Sequence, residues 1–147
     1  MHLKGDTAAL VLLDTSAWIL ALRRDAPPAA REAVDRLIVA GKAATTGPVI
    51  VELLSGTKTN REFQELAAGL SALPRLDPGP KTWEQAARFA FRLRRAGFTV
   101  PATDVLIMTV AWERGCLLLH ADRHFALMAE AGVGPGPEKV QNLLEKT

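Results

Sequence analysis

The 147-residue chain has one cysteine, no tyrosine and only 5% aromatic residues. A lone Cys116 closes no internal disulfide, so the fold has to rest on its core, and a reducing cytoplasm is the expected compartment. Long apolar runs are missing too. The stretches Ala8 to Leu13 and Val105 to Met108 fall far short of the roughly 20 residues that cross a bilayer. Lys4 ahead of an apolar stretch imitates a signal peptide, but Asp14 interrupts it and no small-residue cleavage site follows, so this end is read as part of the fold. Neither charge sign dominates. With 18 Lys and Arg against 16 Asp and Glu, the net charge is +2, and a pI near 9.0 permits a nucleic-acid partner without demanding one. Repeats, low-complexity blocks and linkers are absent as well. What remains, 48% hydrophobic and 23% charged, is the composition of one ordinary globular domain over 1–147.

Apolar runs alternate with helical patterns along that domain. "ALVLLD" reads as a strand buried on both faces and ending in an acid, after which "TSAWILALRRD" takes up helical spacing and stops at Pro27-Pro28. "AAREAVDRLIVAG" is a second helix ended by Gly41. A short strand runs through Thr45, and Gly47-Pro48 opens a helix that Gly56 closes. "NREFQELAAGLSAL" is helical, Arg75 to Leu76 is a short strand among prolines, and "KTWEQAARFAFRLRRAG" is an amphipathic helix ended by Gly97. "TDVLIMTVAWERG" is apolar almost all round and predicts a central helix. "CLLLHAD" is a second buried strand ending in an acid, "RHFALMAEAG" is a helix, and Gly134 to Thr147 reads as a turn followed by a few helix-forming residues. Strands separated by helices imply an α/β fold, a mostly parallel central sheet flanked by helices in three layers.

Ligands of such folds gather at the carboxyl ends of the strands. Asp14 and Asp122 stand there, Asp104 opens the central helix, and Glu52 lies about one turn into the helix after the middle strand. Singly, each aspartate is explained as a helix cap. Glu52, inside "VIVELLSG", is not. Four carboxylates at one mouth repel one another unless a divalent cation sits among them, and an oxygen-only set suits magnesium or manganese better than zinc. His120 and His124 flank Asp122, but with Cys116 alone no spacing matches a structural zinc site. Relief of repulsion is expected to let Glu52→Gln gain stability in metal-free buffer.

"VLLDTSAWI", "VIVELLSG", "PATDVLIMTVA" and "LLLHADRHF", in that order over nearly the whole chain, resemble the PIN-domain ribonucleases, particularly the VapC-type toxins of toxin-antitoxin pairs. The resemblance implies a PIN-like fold and one or two Mg2+ or Mn2+ ions held by Asp14, Glu52, Asp104 and Asp122. It also implies that the Ser16 hydroxyl steadies the first aspartate or a water on the ion. One motif departs from the family pattern: Asp-x-Asp-Phe is here Asp122-Arg123-His124-Phe125, which casts His124 as a weak manganese ligand or a phosphate contact and bears on whether a second ion is held. Implied partners are an RNA substrate, a VapB-type antitoxin lying in a groove for which Trp18, Leu22 and Leu54 are lining candidates and equally core candidates, and a second copy of the chain.

The chemistry expected of such a set is metal-assisted hydrolysis of RNA phosphodiester bonds. No good histidine pair supports the metal-independent route, His2 being too near the terminus. Arg23, Arg24, Lys58, Arg61, Arg123 and His124 are the candidate RNA contacts. The stripe Arg88, Arg92 and Arg95 reads first as a solvated helix face, and Trp18, Trp83 and Trp112 as packing residues. A haloacid-dehalogenase-like phosphatase would need an acid where Ser16 stands. The remaining alternatives are a housekeeping PIN nuclease and a non-catalytic PIN-like module that binds RNA or protein.

Overall fold

The two apolar runs that end in acids become the paired strands at the centre of the sheet. In the computed structural model, which describes residues 9–145, β1 (Val11–Leu13) lies between β2 (Ala43–Ala44) and β3 (Leu117–His120), and β4 (Val140–Asn142) closes the other edge. The segment carrying Lys4 and His2 is outside the described residues. All three pairings are parallel, with Leu12 opposite Ala44 and Leu118, and Leu118 opposite Val140. Leu12, Leu13, Ala43, Ala44 and Leu118 are wholly buried, as strands covered on both faces must be.

Among the described residues, seven α-helices connect and cover the strands: α1 (Thr15–Leu22), α2 (Pro28–Val39), α3 (Gly47–Ser55), α4 (Asn60–Ser71), α5 (Pro80–Arg95), α6 (Ala102–Arg114) and α7 (Arg123–Glu130). The sheet order β2-β1-β3-β4 means that β1 leads one way across the sheet and β3 the other. Right-handed crossovers then put α1 and α2 on one face and α7 on the opposite one. Both α1 and α6 contact β3, and α6 contacts α7, so the central strand is sandwiched. The apolar character of α6 has its reason here, since every residue from Val105 to Ala111 is buried.

Two expectations change. Arg75 to Leu76 is not a strand, because Thr45 makes only one bridge to Arg75; prolines at 74 and 78 lack the N–H groups a longer ladder needs. Conversely, the C-terminal segment contributes β4, flanked by 3-10 turns at Pro137–Lys139 and Leu143–Glu145. Its half-buried Val-Gln-Asn sequence carries no strand signal. The free edge of β3 supplies the pairing that local propensity does not.

Gly134, just before β4, is needed for close approach. A Cβ there would come within 2.5 and 2.6 Å of ring atoms of Phe89, which is 1% exposed and packs edge-on against Trp112 at 5.7 Å. Gly134→Ala is expected to cost about 1–3 kcal/mol through overpacking, read as a melting temperature lower by about 2–4 °C per kcal/mol. An unchanged melting temperature would show that the ring moves aside freely.

Candidate metal centre

The direction of strand order reverses between β1 and β3, and in open parallel sheets the crevice at such a point takes the ligand. Asp14 is the first residue beyond β1, and Asp122 follows two residues after β3. Asp14 caps α1: its Oδ2 accepts the Ser16 N–H at 2.9 Å and the Ser16 hydroxyl at 2.6 Å. Asp122 caps α7 by accepting the His124 N–H at 2.9 Å. Capping and site chemistry are therefore not rival explanations: the Asp14 cap uses Oδ2 and leaves Oδ1, and the Asp122 Oδ1 that accepts the amide also lies 3.0 Å from His124 Nδ1. Asp104 is different from what its sequence position implied. It lies in the first turn of α6, where Pro101 holds the cap position, and its side chain caps nothing there.

Glu52 is exposed on α3, and its Oε1 accepts the Thr15 hydroxyl at 2.5 Å. That bond ties the middle of α3 to the first residue of α1, next to Asp14. Sequence reasoning missed Thr15, whose only signal is its place between two candidate residues. Ser16 does more than steady Asp14. Its oxygen also accepts the Ala121 N–H at 2.9 Å, so one side chain joins the ends of β1 and β3.

The carboxylates feel one another. Asp104, 9% exposed, is pushed up to about 7, first by burial, then by the charges of Asp14 and Asp122; His124 opposes this and Glu52 adds to it. Burial likewise raises Asp14, against the Ser16 hydrogen bonds, with Glu52 adding a smaller push. One ligand atom each from Asp104, Asp122 and His124 lies within 4.8 Å of the others. Among the described residues, Asp14 Oδ1 is buried without a hydrogen-bond partner, and so is His124 Nδ1. Clustered negative charge with orphaned buried acceptors is costly as it stands and is relieved by a cation. The donor set thus fits a divalent ion. His120 is instead a structural residue: it is 1% exposed, its Nδ1 accepts the Asp122 N–H at 3.1 Å, and its ring lies 5.3 Å from that of Phe125. Burial holds its pKa down.

Among the candidate RNA contacts, Arg23 pairs with Asp25 and Arg61 with Glu65, each at 3.1 Å on the surface, where such pairs are weak and exchangeable. Arg24, Lys58 and Arg123 are exposed. Arg88, Arg92 and Arg95 form the anticipated solvent-facing stripe on α5, opposite buried Phe89 and Leu93. Trp18 is buried in the core, as its packing reading had it, and Leu22 of the expected groove is 56% exposed, whereas Trp83, also expected to pack, is 58% exposed. Trp83 borders a cavity of about 740 Å³ between α3, α5 and α6, walled by Val51, Ala86, Ala90 and Leu106, with Glu52 at its rim.

Residues 11–131 match the sequence profile of the PIN domain. The chain belongs to the PIN domain family. Over 124 residues this PIN domain is 34% identical to the VapC ribonuclease Mb1587 of Mycobacterium bovis, an alignment spanning 82% of this chain and 92% of that one. This places it among the VapC proteins. Its fold is similar to that of the DNA-bound VapBC of Salmonella typhimurium (TM-score 0.72, 20% identity, 91% of this chain and 98% of that one). A second similar fold is VapBC2 of Rickettsia felis bound to a promoter DNA fragment (TM-score 0.69, 20% identity, 90% and 98%).

Proposed function

We propose that this PIN domain is a divalent-metal-dependent endoribonuclease and the toxin component of a toxin-antitoxin pair. The observation that carries the reading is the convergence of Asp104, Asp122 and His124 within 4.8 Å beside the orphaned Oδ1 of Asp14. Asp14, Glu52, Asp104 and Asp122 would hold Mg2+ or Mn2+. When bound, such an ion makes water nucleophilic near neutral pH and neutralises charge on the phosphoryl oxygens. Ser16 fixes the orientation of Asp14, and Thr15 fixes that of Glu52. Attack by water, not by the ribose 2′-hydroxyl, leaves a 5′-phosphate and a 3′-hydroxyl. Arg23, Arg24, Lys58, Arg61 and Arg123 are the cations available to backbone phosphates.

Similarity to the VapC ribonuclease of Mycobacterium bovis supports RNA as substrate, and similarity to structures of VapBC supports an antitoxin partner. Exposed apolar side chains suit two protein interfaces: Ile19 and Leu22 on α1 for the antitoxin, with Trp83 and Phe91 on α5 for a second copy. A cytoplasmic location follows from that role. Among the described residues, no helix is long and apolar enough to cross a membrane.

The test is cleavage of mixed RNAs in Mg2+, in Mn2+ and in chelator, by the parent and by Asp14→Asn. Metal-dependent cutting with 5′-phosphate products, absent in the variant, is the expected result. Cutting without metal, or equal cutting by both proteins, overturns the reading. Thr15→Val removes the hydroxyl that holds Glu52, so metal affinity should fall about 10-fold, as for other groups that orient a ligand. Thr15→Ser should restore it. Equal affinities for all three proteins, by calorimetric titration, would leave the 2.5 Å bond without a role in the site.

A further inference from the structure

His124 stands where the resemblance leads one to expect a carboxylate, and its surroundings say what it does instead. Nδ1 lies 3.0 Å from Asp122 Oδ1 and 3.5 Å from Asp104 Oδ2. Neither contact is an aligned hydrogen bond, since Nδ1 is enclosed and has no hydrogen-bond partner among the described residues. A half-buried imidazole whose enclosed nitrogen served as an ion-pair donor would aim its N–H at one of the two oxygens. Two donor atoms bound at right angles to one ion, at about 2.1 Å each, stand about 3 Å apart, which is close to both separations. The ring is held in place by its own backbone, whose N–H is bonded to Asp122 at 2.9 Å. A phosphate contact is the poorer explanation, because an anion reaching Nδ1 would meet the charges of Asp104 and Asp122.

We propose that His124 is a nitrogen ligand of the cation held by Asp104 and Asp122, and that this mixed donor set selects Mn2+ over Mg2+. The inference rests on reading the cluster as a divalent-cation site. Magnesium is a hard ion that favours oxygen donors and retains its water, whereas imidazole is a good donor for first-row transition ions. Exchanging one carboxylate for an imidazole therefore shifts preference toward the transition ion, and it lowers by one the negative charge the site carries without metal.

The experiment uses the full chain freed of metal. Mn2+ binding is followed by electron paramagnetic resonance with Mg2+ as competitor, and pulsed measurements detect nitrogen coupled to bound Mn2+. The parent should show one histidine nitrogen coupling, which changes isotope signature when histidine is 15N-labelled. His124→Ala should lose the coupling and bind Mn2+ about 10-fold more weakly. His124→Asp, which restores the all-oxygen pattern and fills similar space, should lose the coupling while the Mn2+-to-Mg2+ preference falls about 10-fold; it carries the test alone if the alanine variant does not fold. Bound Mn2+ with no nitrogen coupling in the parent, coupling that survives in either variant, or a preference unchanged in His124→Asp would each overturn the proposal. RNA cleavage without nitrogen coupling removes this inference and leaves the nuclease. Nitrogen-coupled Mn2+ in a protein that cuts no RNA does the reverse, and failure to bind Mn2+ at all removes both.

Discussion

Asp104→Asn is expected to lower metal-dependent RNA cleavage on the order of 1,000-fold while raising the melting temperature of the metal-free protein at pH 8. Loss of activity follows from removing a charged donor from the centre of the cluster, a larger change than the 10–100-fold typical of groups that only orient a ligand. The gain in stability has a separate cause. Asp104 is pushed up to about 7 by burial and by neighbouring carboxylates, so at pH 8 the folded chain holds a charge there at a cost. The full shift from 3.8 would correspond to roughly 4 kcal/mol, but neighbouring solvent screens part of it, leaving about 2 kcal/mol. An isosteric amide removes that cost, which should appear as about 5 °C in a thermal melt. A variant that is inactive but melts lower than the parent would show that the carboxylate stabilises the empty fold, contrary to this account. Relief of repulsion was expected at Glu52; the structure moves most of it to Asp104, because Glu52 is exposed and satisfied by Thr15.

The second large effect is the pH dependence of the metal-free parent. Asp104 has a raised pKa in the folded state, so between about 3.8 and about 7 the native chain binds a proton that the unfolded chain has released. Stability then falls as pH rises through that window, and the loss is complete above about 7. Asp14 is shifted in the same direction. His120 runs the other way: its lowered pKa means that the unfolded chain binds the extra proton, so its contribution improves with pH and is complete above 6.5. The net fall in melting temperature below pH 6.5 is therefore smaller than Asp104 alone would give, and subtracting the profile of Asp104→Asn cancels the His120 contribution. Divalent metal competes with protons for the same oxygens, so saturating Mn2+ should raise the melting temperature more at pH 8 than at pH 5. A parent profile identical to that of Asp104→Asn would remove Asp104 as the titrating group.

The central strands, and Asp14 and Asp122 as site candidates, were legible because an apolar run ending in an acid, twice, announces both a buried parallel strand and the end where ligands gather; Asp104 was a candidate only by its place at the start of the central helix. Glu52 was legible as an anomaly, a carboxylate among apolar neighbours. Its explanation was not, since the Thr15 hydroxyl reaches it from 37 positions away, and no local pattern encodes a tertiary hydrogen bond. The last strand escaped for a related reason: Val140–Asn142 extends because β3 offers it an edge. Trp83 misled because helical spacing places a residue on a face without saying whether anything covers that face. His124 could be flagged from its motif, but the orphaned Nδ1 that supports its proposed role exists only in the folded chain.

The Ser16 side chain, bonded to Asp14, also holds the Ala121 amide from 105 positions away in sequence. That amide hydrogen is therefore a natural gauge of the crevice: its exchange with deuterium slows when the two strand ends are clamped and quickens when they part. A bound ion, an antitoxin or an RNA would each leave its mark at one backbone position that none of them needs to touch.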